Sequence, residues 1–342
     1  MMGRFLLICM MMLASFDAFA QSADARAALQ GRLVRAASDI RASERHLQEL
    51  EDYMASLLVR RANLEKEYNE RRKTMATTMT ALTRMGRTPK EAALVRPGGP
   101  LQAARTSMLL SASVPAITTQ AQGFQGLLTD LEKTRSAIAE QTAQAKNLRS
   151  QLAQRHARLD GLLNDRNATT ASFERHEREV ATLARDARTL RDLLSALDAG
   201  GAAKLPDAHV MLVPDGEGQL PVSGIIRTRY GQRDQGGSKS NGLSIETLPG
   251  SLVVAPLGGI VRYAGPFKGY GNIVIIAHKG GYHSLIAGLD KISVSAGQAI
   301  VSGEPIAILD TNQKTAARRT VYYELRYGGS PVNPSRKLSD LG

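Results

Sequence analysis

The chain has 342 residues, 43% of them hydrophobic, which excludes a wholly disordered polymer and leaves room for two or three domains. Aromatic residues make up only 4% and Trp is absent, so one large globular core is excluded, and long runs of Ala, Leu, Arg, Gln and Glu point to extended helices. Lys and Arg number 44 against 32 Asp and Glu, a net charge of +12 that suits nucleic acid, acidic headgroups, an acidic protein or simply a solvated Arg-rich surface.

Residues 1–20 read as a secretory signal peptide, with Arg4 as the positive start, an apolar run from Phe5 to Leu13, and Ala18-Phe19-Ala20 as the cleavage site. The apolar run is shorter than the ~20 residues that span a bilayer. Export turns the positive charge away from nucleic acid as a partner. Cys9 is the only cysteine and lies inside this segment, so no disulfide or Cys-bound metal is expected in the exported chain.

Residues 21–200 carry two heptad arrays. Leu33, Ile40, Leu47, Met54, Arg61, Tyr68 and Met75 fall seven apart, with Ala36, Ser43, Leu50, Leu57, Leu64 and Arg71 as companions. A second array runs Phe124, Leu131, Ile138, Ala145, Leu152, Leu159, Arg166, Phe173, Val180, Ala187 and Leu194. Arg61, Arg71, Arg166 and His176 interrupt these seams. They read as side chains that snorkel outward, with register fixing or a joining helix as the alternatives. Thr88-Pro89 and Pro97-Gly98-Gly99-Pro100 break the helix between the arrays, and 101–119 has apolar residues at helical spacing, so a helical tip is expected near 88–120. The two arrays then pack as an antiparallel coiled-coil hairpin, a parallel dimer of rods being the alternative.

Composition changes at Asp198-Ala199-Gly200-Gly201, and 22 of the 31 glycines lie from 201 onward. Residues 201–222, with Pro206, Pro214 and Pro221, read as a linker. Short β-type runs at 251–255, 259–264, 272–277, 282–287, 305–310 and 320–326 predict a mostly antiparallel β domain over 223–342. The predicted class is α+β multidomain.

A series of landmarks runs through this domain: Tyr230-Gly231-Gln232-Arg233, Asn241-Gly242-Leu243-Ser244-Ile245, Val254-Ala255-Pro256-Leu257-Gly258-Gly259, Gly269-Tyr270-Gly271-Asn272, Gly303-Glu304-Pro305, Tyr322-Tyr323-Glu324-Leu325-Arg326 and Pro331-Val332-Asn333-Pro334. Their order and spacing resemble the lysostaphin-type (LytM) zinc endopeptidases. The resemblance implies zinc ligands from an H-x-G-x-D motif and a late H-x-H, with another upstream His assisting catalysis. The matching positions here are Ser240, Ser244, Gly288, Thr320 and Tyr322, so every one is replaced and neither metal nor other cofactor is expected. Neutral hydroxyls are poor zinc ligands, and Gly has no side chain to offer. His278 and His283 read as a strand-end hydrogen-bonding residue and a surface residue.

Signal peptide, coiled-coil hairpin and degenerate LytM domain together resemble the EnvC-type murein hydrolase activators. That resemblance implies a non-enzymatic periplasmic protein, recruited to the division septum. Its implied partners are N-acetylmuramoyl-L-alanine amidases and, through the coiled coil, a cell-division ABC-transporter-like complex. A helix is expected to mask the amidase groove. Ser240, Asn241, Ser244, Tyr270, Ile273, Ile286, Tyr322 and Arg326 fall on the matched groove segments and are the expected amidase contacts. For three of them a structural role is the alternative, with Tyr322 capping the old metal hole, Tyr270 belonging to its turn and Arg326 solvated. A peptidoglycan-binding scaffold and a zinc endopeptidase are the competing functions.

Overall fold

The computed structural model describes residues 2–86, 99–168, 192–193, 218–233, 237–310 and 318–338. The expected break at Thr88-Pro89, the start of the one at Pro97-Gly98, most of the linker, and the heptads beyond 168 apart from 192–193 lie outside the described residues. Two compact units are present, Met1–Gln48 with Arg149–Gly342, and Glu49–Leu148.

Helix α1 spans Met2–Gly86 and helix α2 spans Gly99–Ala168. The apolar stretch 101–119 is the beginning of α2, not a separate tip helix, and Pro115 sits inside it. Pro100 falls in the first turn, where a missing N–H costs nothing, and at Pro115 one lost ladder bond does not stop a helix propagating on both sides. Within Glu49–Leu148 the helices pair antiparallel: Glu65 meets Arg135 at 3.5 Å, and the Tyr68 ring stacks on Phe124 with centroids 5.1 Å apart. Leu50, Leu57, Leu127, Leu131 and Ala145 are the buried seam there. In the other unit Leu33, Ile40 and Leu47 share burial with Leu152 and Leu159, while Arg155 donates to Asp39 O at 2.9 Å, again antiparallel.

The β domain has an eight-stranded sheet in the order β1-β2-β10-β6-β5-β4-β8, with β11 added beside β10, and a three-stranded sheet β3-β9-β7. The strands are β1 Ile225–Thr228, β2 Leu243–Thr247, β3 Leu252–Val254, β4 Gly259–Phe267, β5 Gly271–Ala277, β6 Tyr282–Leu289, β7 Lys291–Ile292, β8 Ala299–Ile300, β9 Pro305–Ile308, β10 Arg319–Tyr327 and β11 Ser330–Val332. All their pairings are antiparallel. The class is therefore α+β. Side chains alternate across each strand. Val274 and Ile276 of β5, Ile286 of β6 and Val321, Tyr323 and Leu325 of β10 point into one core cluster, which also holds Val253, Ile306 and Ala307 of the small sheet.

One polar network lies against this core. His278 Nδ1 lies 2.8 Å from Gly258 O and its Nε2 2.8 Å from Ser284 Oγ, which in turn contacts Tyr323 OH at 3.3 Å. Burial pushes the His278 imidazole down to about 4, so it is a neutral strand-end hydrogen-bonding group. His283 is half-buried rather than fully on the surface.

Candidate functional site

The opposite face of the large sheet is built from the alternate set of residues. Tyr263 and Phe267 of β4, Ile273 and Ile275 of β5, and Leu285 and Ala287 of β6 form a second apolar cluster, with Tyr322 of β10 packed at its edge. Register fixes the arrangement: Ile273 pairs with Ala287, Ile275 with Leu285, and Ala287 with Tyr322. This floor is not open where Leu193 lies. Leu193, in a helical dipeptide with Asp192, is wholly buried in the same cluster. The heptad pattern assigns the seam to Leu194 and its neighbours, so the described contact is made by a residue off that seam.

Beside the apolar floor, β10 contributes a polar row. Tyr322, Glu324 and Arg326 share a face by alternation. The Tyr322 hydroxyl donates to Glu324 Oε2 at 2.7 Å, and Arg326 Nη1 donates to Glu324 Oε1 at 2.5 Å. Arg326 Nε and Nη2 both donate to Gly329 O, at 3.1 and 2.7 Å. Glu324 and Arg326 are 3% and 6% exposed, so the guanidinium is a buried structural partner and not a solvated one. Burial, and then the hydrogen bond to Glu324, raises the Tyr322 phenol well above its ordinary value, keeping it a neutral donor.

A zinc ion does not fit the residues at the family positions. Ser240 Oγ donates to Gly242 O at 3.0 Å, Ser244 is a half-buried hydroxyl, Thr320 is exposed, and Tyr322 is committed to Glu324. Gly288 has φ +83°, and a Cβ there would come within 2.6 Å of Thr320 O, so no side chain is accommodated without backbone movement. The retained Gly242 has a related cause, since its Cβ would fall 2.2 Å from Tyr323 O. Two carboxylates lie beside these positions, and both have their oxygens occupied by protein donors: Glu324 by Tyr322 and Arg326, and Glu246, opposite Thr320, by Arg227. Among the described residues no group of three or more His, Cys, Asp or Glu side chains is placed to hold a metal ion.

The structure places the expected contact residues unevenly. Tyr322, Arg326 and Ile273 lie on the groove face, as does Ser244, which pairs with Tyr322 across β2 and β10. Ser240 and Asn241 sit in the turn that leads into β2, half-buried and exposed respectively. Tyr270 is 41% exposed, at the turn between β4 and β5, its ring 6.1 Å from that of Phe267. Ile286 is a correction: it is wholly buried in the interior core, because its neighbours Leu285 and Ala287 take the groove side of β6. Glu324, Phe267, Leu285 and Leu193 belong to this face and were not among the expected residues. Period-two alternation from Tyr322 points to Glu324 and from Ile273 to Ile275, whereas nothing local in the sequence marks Leu193.

Residues 238–334 match the family model described as Peptidase family M23. The chain is 28% identical over 228 residues to the murein hydrolase activator EnvC of Escherichia coli (strain K12), covering 64% of this chain and 50% of that protein. It is 35% identical over 119 residues to the murein hydrolase activator NlpD of Salmonella typhimurium, covering 34% of this chain and 30% of that one. The chain thus spans half or less of the length of these curated relatives. Among solved structures, the NMR structure of lysostaphin is similar at 18% identity and a TM-score of 0.33, covering 38% of this chain and 56% of that chain.

Proposed function

We propose that this chain is an exported, non-catalytic activator of N-acetylmuramoyl-L-alanine amidases that split septal peptidoglycan, with its own groove masked until a division complex acts. The observation that carries the reading is the groove face itself. It keeps the floor of an M23-type sheet, has no imidazole or free carboxylate at the metal positions, and is covered by Leu193 of the same chain. A groove without metal chemistry remains a shaped surface for a partner segment. The similarity to proteins named murein hydrolase activators supports the same reading.

In this reading the amidase displaces the segment carrying Leu193 and meets Tyr270, Ile273, Ser244, Asn241, Ser240 and Tyr322. Arg326 and Glu324 hold the Tyr322 hydroxyl in place and do not reach the partner as free charges. The Glu49–Leu148 helical pair docks on the periplasmic part of an ABC-transporter-like division complex. Exposed Met79, Met108 and Val114 supply apolar area for that contact.

The test is dye release from labelled murein sacculi. The full chain alone releases none, and a Leu193→Asp variant strongly increases release by a cell-division amidase. Release by the chain alone, abolished by a chelator, overturns the reading in favour of a peptidase. Sedimentation with sacculi without any effect on the amidase overturns it in favour of a scaffold.

A further inference from the structure

The start of β6 and the end of β10 carry an aromatic pair that the groove does not use. Alternation puts Tyr327 on the side of β10 taken by Val321, Tyr323 and Leu325, the core side, whereas Tyr322, Glu324 and Arg326 face the groove. Past Leu325 the core has ended and the ring emerges, so Tyr327 is 53% exposed. Tyr282 pairs with it across the two strands, and the ring centroids are 4.8 Å apart at an angle of 43°. Tyr282 itself is half-buried against the core, and the Lys337 ammonium stands 5.0 Å from the centre of its ring. Tyr282 is thus the anchored member of the pair and Tyr327 the open one.

The turns beside the pair are bare backbone. Gly280 and Gly281 precede Tyr282, Gly328 and Gly329 follow Tyr327, and Gly328 N donates to Gly281 O at 3.3 Å. A Cβ at Gly280 would lie 3.8 Å from the Tyr282 ring, and one at Gly281 would lie 3.9 Å from the Tyr327 ring. Glycine at these two positions keeps side chains from starting against the ring edges.

Charge around the pair is of one sign. Residues 278–289 and 327–338 form this end of the domain and contain no Asp or Glu, while Lys279 and Arg336 are exposed in the same segments as the rings and Lys337. Elsewhere in the domain carboxylates are turned to arginines: Glu246 to Arg227, Asp290 to Arg319, Glu304 to Arg166 and Glu324 to Arg326. A ligand at this end meets an aromatic face and positive charge, with no carboxylate from these two segments to oppose it.

An aromatic face with a polar neighbour suits a ring that is aliphatic C–H on one side and polar at its edge, which is the chemistry of a sugar. An acidic sugar adds the complementary charge. The amidase of the proposed function makes one. Water attacks the amide between a muramoyl carboxyl and L-alanine, the C–N bond breaks, the amine leaves on the peptide with a proton, and a carboxylate stays on the sugar. The product strand gains a negative charge fixed to the sugar itself and loses the peptide that covered it.

We propose that Tyr327 and Tyr282, with Lys337 and Lys279, form a binding site for glycan strands whose muramoyl carboxyls have been freed of peptide. The identity of the strand rests on the amidase reading above, and the site is separate from the groove. Tyr327 stacks on the sugar ring and the lysines meet its carboxylate. A chain held in this way stays where peptides have already been removed, while its groove face, on the other side of β10, is left for the amidase.

The test is fluorescence anisotropy of dye-labelled soluble glycan strands mixed with the full chain, with no amidase present. One probe is strands stripped of peptide beforehand, and the other is the same strands with peptides attached. Stripped strands bind about tenfold more tightly or better, and added salt weakens that binding. Tyr327→Ala lowers affinity for stripped strands about tenfold, Tyr327→Phe keeps it, and Lys337→Met lowers it and flattens the salt dependence. Should Lys337→Met not fold, Lys279→Met, at an exposed position, carries the same expectation. Equal affinity for the two probes, or unaltered affinity in folded Tyr327→Ala, overturns the site. Tighter binding to phosphatidylglycerol vesicles than to stripped strands, lost in Tyr327→Ala, overturns it in favour of a membrane surface. With no amidase in the mixture, these failures leave the proposed function standing. A chain that binds stripped strands yet activates no amidase overturns that function and leaves the site.

Discussion

Replacing Leu193 by Ala tests the mask with the smallest change. The side chain is wholly buried on the groove floor, and the substitution removes three carbons. At roughly 0.8 kcal/mol per buried CH2 this weakens closure by about 2 kcal/mol. No cavity penalty is added, because the segment can leave the groove when it binds less well. In a two-state equilibrium that starts mostly closed, about 2 kcal/mol raises the open fraction roughly thirtyfold, and the apparent affinity for a groove partner rises by the same factor. The assay is amidase-dependent dye release from sacculi as a function of chain concentration. The half-maximal concentration falls about thirtyfold, and the plateau is unchanged because the open form is the same molecule. An unaltered half-maximal concentration in a folded variant refutes the reasoning, and a lowered plateau would mean that Leu193 belongs to the active surface itself.

Three further outcomes follow from buried groups. Glu44 has a folded value of about 8 against 4.5 for an ordinary carboxyl, so the folded chain holds its proton more tightly, and stability falls as pH rises from about 4.5 to about 8. At about 1.4 kcal/mol per pH unit the loss is roughly 5 kcal/mol. His278, held down to about 4 against 6.5, acts with the opposite sign, so its contribution is present above pH 6.5 and is lost as pH falls through 4. Thermal melts from pH 6.5 to 8.5 should therefore show a falling midpoint that Glu44→Gln flattens. Arg326→Met leaves Glu324, 3% exposed, without its charge partner and should destabilise the β domain by about 3–5 kcal/mol in denaturant melts. Gly288→Ala forces a Cβ into a φ of +83° and within 2.6 Å of Thr320 O, and should cost about 1–3 kcal/mol or more in the same measurement.

The readability of the fold depended on whether a pattern was apolar. Each of the six predicted β runs contains or overlaps an observed strand, because Val, Ile and Leu alternate there with turn residues between them. The two-residue strands β7 and β8 carry too few residues for any period, and β1 and β2 sit among Ser, Arg and Gly that read as turns. In the helices the seam was legible at Leu33, Ile40, Leu152 and Leu159. The buried stripe of Arg41, Glu44 and Gln48 on α1 was not, since residues of that type ordinarily mark a solvated face. Arg166 shows the same limit: it reads as a snorkelling intrusion, yet it is 7% exposed and bound to a carboxylate more than a hundred residues away. At the groove, parity settles what residue type cannot. Ile286 and Ile273 are equally plausible by composition, and one position of alternation places the first in the core and the second on the floor.

In the proposed function, the contacts of Arg166 and Leu193 also bear on how the groove closes again. Twenty-six residues, 167–192, join these two points on one domain. While α2 stays docked, a displaced Leu193 is confined by a tether of that length. Being part of the same chain, it re-engages with an effective concentration set by that covalent connection and not by how much protein is present. In the proposed reading, inhibition by the chain's own segment therefore does not depend on protein abundance, and it resumes whenever an external ligand lets go. On that reading, a partner that opens the groove must stay bound for as long as hydrolysis is wanted, and the duration of wall cleavage is set by that partner's residence time.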